Sequence, residues 1–163
     1  MQQYDIIIIE GRCGTILSVI DVIKALSELI EAKCPDYPVI DYDITEGFPR
    51  PGYFIEVEDV ETNWVANDYI RESSNLKIIF FAAERYEGFL ELLDMKNNLT
   101  VLFDDPLYVT NGQDEYYVSL LNTASDIYKA DKVLEFTLQA DLIQKVDRKE
   151  VEPYMEELST NIN

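Results

Sequence analysis

Histidine is absent from these 163 residues. That removes the commonest general base near neutral pH, every histidine-led nucleophilic triad and the commonest zinc ligand. Any enzymatic reading must therefore rest on carboxylates. Cysteine is scarce: only Cys13 and Cys34 are present, and the helix predicted between them would hold them about 30 Å apart, far beyond disulfide reach. They read as free thiols, in keeping with a reducing cytoplasm. Bases are few, with 13 Lys and Arg against 32 Asp and Glu and a formal charge of -19. Binding to a nucleic-acid backbone needs basic side chains that displace counterions, so sequence-specific nucleic-acid binding is not expected. Three readings fit the charge: a solvated acidic surface, a basic protein partner, or a conduit whose negative wall keeps DNA from adhering. No apolar stretch approaches the ~20 residues of a bilayer span. Asp5 stands where a secretion signal would carry positive charge, and the expectation is a soluble chain made in the cytoplasm with no membrane partner.

What is present supports a folded α+β chain, with 47% hydrophobic and 12% aromatic residues, too apolar for intrinsic disorder. Three regions are expected: residues 1–14 as a strand or arm, 15–147 as the folded domain, and 148–163 as an acidic tail with a short helix. Ile6, Ile7, Ile8 and Ile9 form a β-branched run. It reads either as an edge strand of the domain's own sheet or as an arm that adds to a neighbour's sheet. Thr15 is the expected cap of a helix reaching about Lys33, with Leu17, Ile20, Ile23, Leu26 and Ile30 on its apolar stripe, and Cys34-Pro35 ends it. A short strand is expected over residues 38–43, then strands over 52–60 and 64–71 around a polar turn near 61–63. The apolar run 76–81 reads as a central strand covered on both sides or as a subunit interface. From Tyr86 a helical repeat appears through Phe89, Leu92, Met95 and Leu99, stopped by Asp104-Asp105-Pro106. The remainder reads as β: residues 107–109, an Asn111-Gly112 turn, 116–128, and 132–146 as a half-buried hairpin arm. Tyr154, Met155 and Leu158 give the tail a weak apolar face that suits docking on a partner.

Asp41-x-Asp43-x-Thr45 at a strand end looks like the first motif of haloacid-dehalogenase-type phosphotransferases, with Asp104-Asp105 resembling that family's late acidic motif. In that reading Asp41 is the nucleophile, Asp43 the acid/base, and paired carboxylates share magnesium with phosphate. Against it stand the helix that precedes the motif, Pro38 in the strand, and strands that read as antiparallel. The same segment fails as a calcium loop, with Glu46 where glycine is required. No cofactor is expected. Trp64, Tyr69 and Arg71 read either as half-buried strand residues or as a repeated subunit contact, since aromatics and Arg are enriched at interfaces. Arg50 and Arg85 are similar candidates in so acidic a chain.

Several of these pieces occur in one order. They are the opening helix, Ile44-Thr45-Glu46-Gly47 with Pro49 and Pro51, Tyr53-Phe54-Ile55-Glu56-Val57, Asn67-Asp68-Tyr69-Ile70-Arg71-Glu72 and the closing β segment. Together they resemble the tail terminator proteins of contractile-tailed phages and phage-like bacteriocins. The resemblance implies a mainly antiparallel sheet with two packed helices and no catalytic role. It also implies a homohexameric ring that caps the tail tube, ends its polymerisation and receives the last sheath ring. Tube protein, sheath protein and, in a phage, the head-tail connector would be its partners at the head-proximal end of the tail. An acidic adaptor or DNA mimic that binds a basic protein is the alternative from charge.

Overall fold

A computed structural model describes residues 16–40, 49–84 and 88–146. Ser18 stands in extended backbone ahead of α1 (Val19–Lys33). Its N–H and hydroxyl both donate to the Asp21 carboxylate, at 2.9 and 3.0 Å, an acid placed where the helix dipole favours negative charge. The helix thus begins later than a Thr15 cap would place it, and Thr15 itself lies outside the described residues. Val22, Leu26 and Ile30 are its buried residues, one helical turn apart. Ile20, expected on that stripe, is 60% exposed, because the four-residue row that packs on the sheet passes it by.

The remaining elements are β1 (Gly52–Ala66), β2 (Tyr69–Phe81), α2 (Phe89–Leu102), β3 (Leu107–Thr110), β4 (Glu115–Val118), β5 (Leu120–Tyr128) and β6 (Val133–Lys145). Four strands form one antiparallel sheet in the order β1-β2-β6-β5, and β3 and β4 make a separate hairpin. Gly112, at φ 89, lies in that hairpin's connection, where the Asn111 side-chain oxygen accepts the N–H of Gln113 and Asp114 at 2.9 and 2.8 Å. The left-handed backbone suits glycine, and the expected Asn-Gly turn is present.

Two expected boundaries move. The turn near 61–63 does not exist: β1 continues to Ala66, and the chain reverses at Asn67-Asp68. Residues 64–71 therefore straddle the hairpin tip, and 76–81 is the second half of β2. Glu61, Thr62 and Asn63 are polar because β1 is exposed from Glu56 onwards, so solvation, not chain reversal, explains them. The single strand expected over 116–128 is broken at Ser119 into β4, paired with β3, and β5, paired with β6. As expected, β6 is the half-buried second arm of a hairpin with β5, and its other edge pairs with β2, which makes it an interior strand. Of the strand expected over 38–43, the described part makes one parallel bridge, Val39 to Tyr53, in place of an antiparallel meander.

Strand alternation builds the core. Leu134, Phe136, Leu138, Ala140 and Leu142 of β6 and Leu76, Ile78 and Phe80 of β2 all point to the side covered by α1 and α2, where they meet Leu26, Ile30, Leu92 and Leu99. On the other side Ile79 and Phe81 join Ile40 in a smaller cluster, so the run 76–81 is covered on both faces near its end. Gly52 allows that cover: a Cβ there would lie 3.0 Å from the Ile40 side chain and 3.2 Å from the Pro38 carbonyl. Cys34 is buried and free among the described residues, and burial, aided by the Asp36 charge, pushes its thiol pKa up.

One buried polar side chain locks helix to sheet. The Gln144 amide donates to the Leu17 carbonyl and accepts the Leu17 N–H, both at 2.7 Å. Gln144 is 3% exposed and Leu17 fully buried, so no water can replace either bond. Replacing Gln144 by Leu is expected to destabilise the chain by about 2–4 kcal/mol, since it strands two buried backbone groups. Urea melts of the two proteins check this, and amide exchange should quicken first at Leu17.

Candidate assembly surface

The sheet's two faces differ. One lies under the helices. The other, apart from the Ile40 cluster, carries the alternate residues Arg71, Ser73, Asn75 and Lys77 of β2 and Glu135, Thr137, Gln139 and Asp141 of β6, which register side by side. Asp141 is the hub: its carboxylate takes the Ser73 hydroxyl and the Arg71 guanidinium, and Gln139 donates to the Ser73 oxygen at 3.2 Å. Further along, the Lys77 ammonium joins Glu58 and Glu135. The Glu58 hydrogen bond leads the causes that raise the Lys77 pKa. This face is polar, cross-linked and rich in acid.

The distal β1–β2 hairpin carries the aromatics singled out by sequence. Trp64 pairs with Ile70 and is 44% exposed; Tyr69 pairs with Ala66 and is 45% exposed. Alternation puts Tyr69 on the same side as Arg71, and Trp64 on the opposite side with Ile70. The hairpin thus gathers all three, displayed on two faces. Arg71 has a carboxylate partner in its own sheet, Asp141. Arg50 lies apart, at the other end of the sheet, where its guanidinium donates to the carbonyls of Ala82 at 3.2 Å and Asp131 at 2.9 Å and sits 5.3 Å from the Phe81 ring centre. Arg85, Tyr154, Met155, Leu158, Asp41, Asp43 and the arm of Ile6 to Ile9 lie outside the described residues.

Glu72 sits against the N-terminus of α1. It accepts a hydrogen bond from the Val19 backbone, yet burial, the largest influence, with the Asp21 charge, raises its pKa. On the helix side, Ala25, Leu29 and Ala32 of α1 face Val101 and Leu102 of α2 and Tyr108 across an open groove of about 810 Å³. Among the described residues no group of three or more His, Cys, Asp or Glu is placed to hold a metal ion, and no helix is long and apolar enough to cross a membrane. Sequence reasoning did not single out Ser73, Lys77, Gln139 or Asp141. Their alternation with core residues was visible, but which strand faced β6 was not.

Asp141 has a pH signature. The Ser73 hydrogen bond foremost, then Arg71, hold its carboxyl below the ordinary carboxylate value of 3.8. A folded pKa below the unfolded one contributes stability present above the ordinary value and lost as pH falls through the lowered one. Asp141→Asn is expected to lower stability at pH 7 by about 1 kcal/mol, discounted for partial exposure. The gap from the parent should narrow as pH falls through that lowered value, where protonation makes both side chains neutral; urea midpoints at pH 7 and at successively lower pH provide the check.

Comparison with known proteins adds the family. A family model described as "Phage tail terminator protein" matches residues 21–152, from α1 through β6. No curated protein matches. One solved chain aligns over 80% of this chain and 94% of its own length at 16% identity, with a TM-score of 0.42, too loose a likeness to argue from. The family match spans most of the chain, both helices and every strand of the sheet: this chain belongs to the phage tail terminator family.

Proposed function

We propose that six copies of this chain close into a ring that caps the finished tail tube, ends its polymerisation and contacts the last sheath ring. The observation that carries the reading is the family match over residues 21–152. The physical logic is that of heterologous contacts that close: each copy uses two different surfaces, and rotation completes a ring in place of a filament. A ring complementary to the tube on one side only offers no surface for another tube layer. Capping of this kind needs binding and no catalyst.

Trp64, Tyr69 and Arg71 near the turn of the β1–β2 hairpin are the proposed subunit contact, with Arg50 and Arg85 as further members. Tyr154, Met155 and Leu158 are the proposed docking residues for tube or sheath. Tube protein, sheath protein and, in a phage, the head-tail connector are the proposed partners, at the head-proximal end of the tail. The charge of -19 suits a ring through which DNA passes, since a negative wall repels phosphate.

Tube assembly with and without the purified chain provides the test. Tubes of defined length with the chain present, and overlong tubes in its absence, are expected; unchanged lengths would overturn the proposal. Sedimentation of the chain mixed with tube subunits should reveal a six-subunit species. Trp64→Asp should reduce that species at least tenfold while far-UV circular dichroism stays unchanged.

A further inference from the structure

The outer edge of the sheet has a readable backbone phase. Tyr53 is tied on its outer side to the segment before it: its N–H donates to the Pro38 carbonyl at 3.2 Å, and its carbonyl accepts the Ile40 N–H at 2.7 Å. The N–H and C=O of one strand residue point to the same side, and successive residues alternate. Ile55 and Val57 therefore also aim outwards, while Glu56 aims inwards at Lys77. A bulge between Val57 and Asp59 inserts one residue, after which Asp59 pairs with Asn75, Val60 with Ser74, Glu61 with Ser73 and Thr62 with Glu72. Because β2 keeps its phase against β6 without a break, Asn75 and Ser73 aim at β1 and Asp59 and Glu61 answer them. Val60 and Thr62 then aim outwards. Among the described residues, the outward backbone groups of Val57, Val60 and Thr62 have no hydrogen-bond partner.

The side chains along this stretch separate by chemistry. Glu56, Asp59 and Glu61 share the side of Lys77 and Ser73, whereas Val57 and Val60, each 39% exposed, share the side of Leu76. A second copy of this chain is a poor occupant. Its opposite sheet edge, β5, contributes Asp126, the whole chain carries 32 acids against 13 bases, and like charges across a strand pair repel. An incoming strand that places Lys or Arg against the acids and aliphatic side chains against the valines satisfies both faces while closing the open hydrogen bonds.

We propose that the outer edge of β1, from Val57 to Thr62, is a strand-addition site for an extended segment of another protein in which basic and apolar residues alternate. Backbone pairing gives affinity in such contacts, and alternate side chains give selectivity. The acidic row also suits an edge with no strand partner among the described residues, since charged edges resist self-pairing. This inference does not depend on the ring: it concerns one exposed edge of one chain.

Amide hydrogen exchange by NMR on the full chain tests it, free and with a capped seven-residue peptide of alternating lysine and valine. A control peptide has the same composition with its lysines grouped. In the free chain the amides of Val57, Val60 and Thr62 should exchange at least tenfold faster than those of Glu56, Asp59 and Glu61. The alternating peptide should slow the first three at least tenfold, and the grouped one should not. Glu56→Lys with Glu61→Lys should weaken that effect at least tenfold while core amides stay protected. Outward amides already slow in the free chain would overturn the proposal, as the edge would then be covered by the chain itself or by another copy. Equal effects of the two peptides would also overturn it, leaving attraction by charge alone. Either failure would leave tube capping untouched, because that reading is tested by tube length.

Discussion

Thirteen consecutive residue pairs join β2 to β6, from Tyr69 with Lys145 to Phe81 with Val133, with no irregularity. Everything else takes its orientation from this ladder. A slip of one residue would turn Leu134, Phe136 and Leu138 to the solvated face and drive Glu135 and Gln139 under the helices. Burial on one side holds the register against that slip: each aliphatic or aromatic side chain taken from water contributes roughly 1.5–3 kcal/mol. The polar face then follows as a consequence. Ser73, Gln139 and Asp141 meet because Leu76, Leu138 and Ala140 must meet behind them.

The ladder also explains why the helices sit where they do. Gln144 belongs to the inward-facing series of β6, yet it is polar, and its amide stands in for a strand partner to Leu17. A hydrophobic residue there would fill space but leave two backbone groups unpaired in the interior. The start of α1 is thereby held against the end of β6 nearest the hairpin, and its Val22, Leu26 and Ile30 row descends across the sheet. Helix, sheet and the turn end of the β1–β2 hairpin share this point.

Along this hairpin β2 stays buried against β6 as far as Ile70, while β1 leaves the core. From Glu56 onwards β1 is exposed, so its residues answer to solvent and to prospective partners and not to packing. That freedom permits a dense row of acids beside half-exposed valines and Trp64. A surface of this kind is a natural place for assembly contacts, because it can be covered without disturbing the buried ladder.

The sequence by itself determined the α+β class, both helices, the Asn111-Gly112 turn, the alternating core of β6 and the family resemblance. Each is a local pattern, since periodicities of 3.6 and 2 and the conformational limits of glycine are read within a few residues. Only the tertiary structure decided where the first long hairpin turns, because Glu61, Thr62 and Asn63 are as polar in a solvated strand as in a reversal. The same holds for the interior place of β6, and for Arg71 finding Asp141 seventy residues away. Those outcomes depend on which strands lie side by side, and strand order is set by burying one continuous face beneath two helices, a condition no short stretch of sequence contains.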